Sequence, residues 1–207
     1  MADLVYLDLW INNFTASNML QHWVSALEEF PVSATSPGIR SLAIYPICWS
    51  ETPVLQQSFQ EGADVEHVTG LAAEWLHADC AYEAQMNWDL WLRASPEAPG
   101  KRRQVPSPVS LVCFGREFEN EGAEGCCDLQ VNFGLDFAFV PDPDELPHLQ
   151  DSPEMEMARQ RTQENIQQLL GFVRRLERKL PVAKKLLWSE SGENLAEKIL
   201  SGWEQES

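Results

Sequence analysis

An α+β fold is what this sequence predicts: a ferredoxin-like β-α-β-β-α-β core over residues 1–93, extended by an antiparallel β-hairpin and by C-terminal helices. Three observations carry that expectation. Several segments alternate apolar and polar residues, as half-buried strands do. Others repeat their apolar residues at helical spacing. Over the first 93 residues these two patterns succeed one another as strand, helix, strand, strand, helix, strand. The chain is expected to form one domain over 1–207, with a loop at 94–107, a hairpin extension at 108–140 and helices within 154–203.

Val5, Leu7, Leu9 and Ile11 alternate with Tyr6, Asp8 and Trp10, which predicts a first strand. Met19, Leu20, Trp23, Leu27 and Phe30 hold helical spacing after a candidate cap at Thr15 or Ser17, and Pro31 and Pro37-Gly38 end that helix. The runs 41–47 and 53–59 predict two further strands. Asp64 is placed to cap a second helix, whose apolar arc is Val65, Val68, Leu71, Ala72, Trp75 and Leu76. Residues 81–93 alternate over a long stretch. Tyr82, Met86, Trp88, Leu90 and Leu92 take one face, and Glu83, Gln85, Asn87, Asp89 and Trp91 the other.

Four prolines, one glycine and three adjacent cations read as a loop over 94–108, and a strand is expected from Val109 to Phe118. The segment 128–140 alternates most regularly, with Leu129, Val131, Phe133, Leu135, Phe137 and Phe139 predicted to face inward and Asp128, Gln130, Asn132, Gly134 and Asp136 outward. An acidic, proline-rich connector follows. Ile166, Leu169, Leu170, Val173, Leu176 and Leu180 then predict the apolar stripe of a long helix with Arg174, Arg175, Arg178 and Lys179 away from it. Pro181 stops that helix, and Ser191 is placed to cap a last one over 193–203.

The net charge of −17 over 207 residues is unevenly spread. The first hundred residues hold two basic against 13 acidic side chains, a net of −11, whereas 158–188 hold eight basic against two acidic, a net of +6. A field this negative repels phosphate backbones, so no nucleic acid is expected as a partner. No apolar run approaches membrane-spanning length and no signal peptide is visible, so a cytoplasmic protein without membrane contact is expected. Five cysteines in no repeating spacing, Cys126 and Cys127 adjacent among them, read as free thiols. The positive charges of 158–188 flank an apolar stripe, and the reading preferred is that this helix docks on its own acidic body.

No phosphate-binding loop, dinucleotide fingerprint, nucleophile elbow, zinc-protease or EF-hand motif occurs, and no cofactor is expected. Glu74-x-x-His77 joins a carboxylate and an imidazole one turn apart, but a di-metal carboxylate site needs a second such motif, and His67 lies ten residues from His77. No Ser or Cys falls beside a His and an acid by spacing, and His148 sits in the connector.

The constellation that remains is the outward phase of the first, fourth and sixth strands: Tyr6, Asp8, Trp10, Glu83, Asn87, Asp89, Trp91, Asn132 and Asp136. Helices of a ferredoxin-like sheet cover one side, which leaves these aromatic rings, carboxylates and amides on the other. Such a surface suits a sugar, a cationic ligand, a basic protein or a second copy of the chain. The function expected is a non-enzymatic, immunity-like binding or interaction domain holding a basic partner. The alternative is a hydrolase that pairs carboxylates such as Glu83, Asp89 or Asp136 with tryptophan platforms, which needs two carboxyl groups about 5–9 Å apart in one pocket.

Overall fold

The computed structural model describes residues 3–94, 101–119, 127–140 and 153–190. Among these residues the fold is α+β: one seven-stranded antiparallel sheet and three helices. In chain order the elements are β1 (Leu4–Ile11), α1 (Met19–Glu28), β2 (Ile39–Pro46), β3 (Leu55–Ala63), α2 (Val65–Ala73), β4 (Cys80–Arg93), β5 (Arg102–Phe114), β6 (Leu129–Leu135), α3 (Pro153–Lys179) and β7 (Val182–Ser189). The strands lie side by side as β3-β2-β4-β5-β6-β1-β7. Through β4 the succession is the expected one, and the helix at 193–203, the connector at 141–152 and Cys126 lie outside the described residues.

The sheet order is not ferredoxin-like. β4 pairs with β2 on one edge and with β5 along its whole other edge, from Ala81 opposite Phe114 to Arg93 opposite Arg102. β1 pairs with β6 and β7 instead. β5 lies between β4 and β6 over Ser110–Cys113, and the segment expected as a loop joins it as strand from Arg102 onward. Pro106 and Pro108 argued against that, because proline cannot donate to a ladder. Here they face Asp89 and Asn87 of β4, while β6 joins β5 only over Ser110–Cys113, so at the prolines the second edge of β5 is free of β6.

One phase of the strands packs against the helices. Leu42 and Ile44, Tyr82 to Leu90, Leu111, Val131, Leu7 and Leu9 form one buried core with Trp23 of α1, Val68 and Ala72 of α2 and Leu169, Phe172 and Leu176 of α3. Phe30, Trp88, Phe133 and Phe172 meet edge to face near its centre. The stripe of α3 is buried as its spacing predicts, and Arg175 and Lys179 reach Glu29 and Glu28 of α1 at 3.6 and 3.4 Å. This helix therefore docks on its own domain.

Three local expectations change. Asp64 caps α2, its Oδ1 accepting from the His67 N–H at 2.7 Å, but α1 takes no side-chain cap from Thr15 or Ser17. Trp75 and Leu76 lie beyond the end of α2 and are exposed, because the Tyr82 hydroxyl donates to Trp75 O and accepts from the His77 N–H. The sixth strand stops at Leu135. Gly134 adopts φ +79°, and its N–H donates to Asn132 Oδ1 at 2.9 Å. A single 3-10 turn over Asp136–Ala138 follows, which leaves Leu135 and Phe137 exposed rather than inward.

Candidate functional site

The opposite phase of the strands makes the second face of the sheet. Register sets two rows across all seven strands. One runs Ser58, Ser41, Gln85, Ser110, Asn132, Tyr6, Trp188, and the next Gln56, Ala43, Glu83, Val112, Gln130, Asp8, Leu186. Side chains of a strand alternate across the sheet, so neither row can contribute to the helix-side core. Most of these groups are amides and hydroxyls; the carboxylates of the two rows are Glu83 and Asp8.

The sequence-predicted residues do not gather into one site. Tyr6, Asp8 and Asn132 do come together, and Trp10 follows on β1. Tyr6 stacks on Trp188 with ring centroids 4.7 Å apart. Asp8 is only 6% exposed, yet both carboxylate oxygens are satisfied, Oδ1 by Gln130 Nε2 and Oδ2 by Trp188 Nε1, each at 2.8 Å. That is how an anion is kept beneath a surface without an ion pair. Burial, followed by the nearby charges of Glu190 and Asp8, pushes the Tyr6 hydroxyl pKa up. Lys184 Nζ sits 4.3 Å from the centre of the Trp10 ring.

The others serve the fold. Asp89 accepts from Ser33 Oγ at 2.5 Å and from the Ala34 N–H at 2.8 Å, and Asn87 Nδ2 donates to Ser36 Oγ. Both tie the 33–36 loop to the part of β4 that β2 does not reach. Trp91 carries Arg161 over its ring at 3.9 Å, and its backbone is bound by Asn165 of α3, so it is no free platform. Asp136 lies in the 3-10 turn, where its Oδ1 accepts from the Asp3 N–H. Glu83 stays on the face, half-buried, between Ala43 and Val112.

One end of the face is closed over. Ala81, Val112, Phe114, Phe118 and Cys127 form a second small core, with Tyr45 and Trp10 against it and Trp49 edge-on to Tyr45, Phe114 and Phe118. Gly115 lets the chain turn there. A Cβ on it would lie 2.2 Å from Ala78 O, and its N–H donates to Cys80 O.

Between this small core and β1 opens a cleft of about 380 Å³, lined among the described residues by Trp10, Ile11, Phe114, Gly115, Arg116, Cys127 and Asp128. Burial raises the Asp128 pKa, against the lowering effect of the Ile11 N–H, which donates to its Oδ2 at 2.6 Å, and of Arg116 and His22 nearby. Burial lowers that of His22, partly countered by Asp128.

Sequence reasoning missed Trp188 and Lys184 because Val182–Ser189 mixes apolar and basic residues in both phases, and it left Arg116 out of any site. Val182 and Trp188, the one β-branched and the one aromatic residue of that stretch, were the slight local signal for β7. Cys48, Cys80 and Cys113 are free thiols. Burial pushes Cys80 up to about 11 and Cys113 well above its ordinary value, which makes both poor nucleophiles. Among the described residues no group of three or more His, Cys, Asp or Glu is placed to hold a metal, and no helix is long and apolar enough to cross a membrane. No family model, curated protein or solved structure compared with this chain matches it.

Proposed function

We propose that the protein is a non-enzymatic binding domain that holds a basic protein on the second face of its sheet. The observation that carries this reading is the separation of its carboxylates. Asp8, Asp89 and Asp136 are engaged by different donors on different parts of the chain, and Glu83 stands apart on the face. The hydrolase alternative needs two of them around one bond, with pKa values pushed apart.

Charge selects the partner. Arg175 and Lys179 are engaged with Glu29 and Glu28, so these cations of α3 are turned to the protein's own acids. The net −17 then steers cationic molecules toward the surface. A second copy carries the same charge and is repelled by it, which favours a basic partner over self-association. The stacked Tyr6 and Trp188 rings supply the aromatic contact area that protein interfaces use as anchors.

The test is capture from native lysate on immobilised protein, comparing wild type with a Glu83→Lys, Gln85→Lys variant whose two changes lie on the face and touch no described hydrogen bond. Basic proteins retained at low salt by the wild type and lost by the variant are the expected result. Identical retention by both would remove the face from the interaction. Turnover of a hydrolysable substrate that disappears in Asp89→Asn, with binding intact, would establish the enzyme instead.

A further inference from the structure

We propose that the cleft between the end of β1 and the turn after β5 binds a small zwitterion bearing one ammonium and one carboxylate, the chemical class of the free α-amino acids. The inference does not rest on the protein-binding reading above, since the groups that carry it, Arg116 and Asp128, lie outside the two rows of that face.

The cleft's volume of about 380 Å³ falls in the range of small-molecule sites. Trp10, Ile11 and Phe114 supply apolar wall, and the polar equipment is one guanidinium and one carboxylate. Arg116 is exposed and forms no hydrogen bond or ion pair with any described residue. Asp128 is half-buried. Its Oδ2 is held by the Ile11 N–H, while Oδ1 has no hydrogen-bond partner among the described residues. The two charges are near enough for Arg116 to act on the Asp128 proton equilibrium, yet no ion pair joins them. Both line the same cleft without being joined.

An unbridged pair of this kind selects its ligand by sign. A simple anion meets Arg116 but is opposed by Asp128 and by a protein of net charge −17. A simple cation meets Asp128 but is opposed by Arg116. A zwitterion satisfies both, its carboxylate accepting from the guanidinium in the bidentate geometry Arg favours and its ammonium donating to the free Asp128 oxygen. The half-buried Trp10 indole then suits an aliphatic or aromatic side chain. Lys184 packs over that indole, 4.3 Å from its centre.

Calorimetric titration of the full chain with L-leucine and L-phenylalanine tests this, run beside 4-methylpentanoate, which lacks the ammonium, and 3-methylbutylamine, which lacks the carboxylate. At least one amino acid should bind at millimolar concentration or below, and the two one-charge analogues about tenfold or more weakly, because each leaves one protein charge unpaired. Arg116→Gln, an exposed change that leaves the fold alone, should abolish the preference for leucine over 3-methylbutylamine. Asp128→Asn, which keeps an acceptor for the Ile11 N–H, should abolish the preference over 4-methylpentanoate. Absence of heat with both amino acids, or equal binding of the analogues, would overturn the proposal.

Discussion

Two aspartates on the same side of the sheet illustrate how much a carboxylate's surroundings decide. Asp8 lies deeper, yet two side-chain donors complete its hydrogen bonding. Asp128 is shallower but is met by one backbone N–H, and burial raises its pKa despite Arg116 and His22 facing it. The sign of the consequence follows. The folded state holds the Asp128 proton to a higher pH than the unfolded chain, so stability falls as pH rises from about 4 through the raised folded value, and the loss is complete above it. Asp128→Asn removes that loss. Urea melts should show the variant gaining on wild type between pH 4 and pH 7. A variant that loses ground over the same interval would mean the carboxylate is stabilised by its charge. Only the outward phase of Asp8 and Asp128 was legible in sequence. Their partners come from β7, from a residue more than a hundred positions away, or from the end of a neighbouring strand.

Among the elements, α3 joins two kinds of contact. Its apolar stripe fills the core, and Asn165, fully buried, pairs with both backbone groups of Trp91 and with Ala138 O at 2.8–2.9 Å. The amide completes the ladder where β2 has ended and the edge of β4 would otherwise be unpaired. Asn165→Leu keeps the branched shape of the side chain but strands three backbone groups, and should cost roughly 2–4 kcal/mol. Leu169→Ala should cost a similar amount through its cavity, roughly 2–5 kcal/mol. Arg174→Ala, on the exposed side of the helix, should change stability by less than about 0.5 kcal/mol. Denaturant melts that rank Arg174 with the other two would show the stripe to be misplaced. The stripe itself was readable from spacing, because a helix repeats its face locally. The role of Asn165 was not, since a polar residue inside an apolar arc acquires meaning only from what lies opposite it.

At the scale of the whole molecule, the net charge of −17 has a cost that the fold carries at low ionic strength. Like charges brought together on folding repel, and salt near 0.15 M screens beyond about 8 Å. Raising sodium chloride from low millimolar to physiological strength should therefore raise the melting temperature, and a fall would mean that the described ion pairs outweigh the repulsion. By itself the sequence determined the α+β class, the three described helices and most strands, the greater part of their core faces, and the acidic field. All of these are set by residues close along the chain or by composition. Tertiary structure decided the order of the strands, with β5 between β4 and β6 and β1 between β6 and β7. It also decided where each outward side chain ended: Trp91 beneath Arg161, Asp89 on the 33–36 loop, Asp8 between Gln130 and Trp188. Strand pairing is a contest among distant segments for the same edges, and local pattern carries no record of which segment wins it.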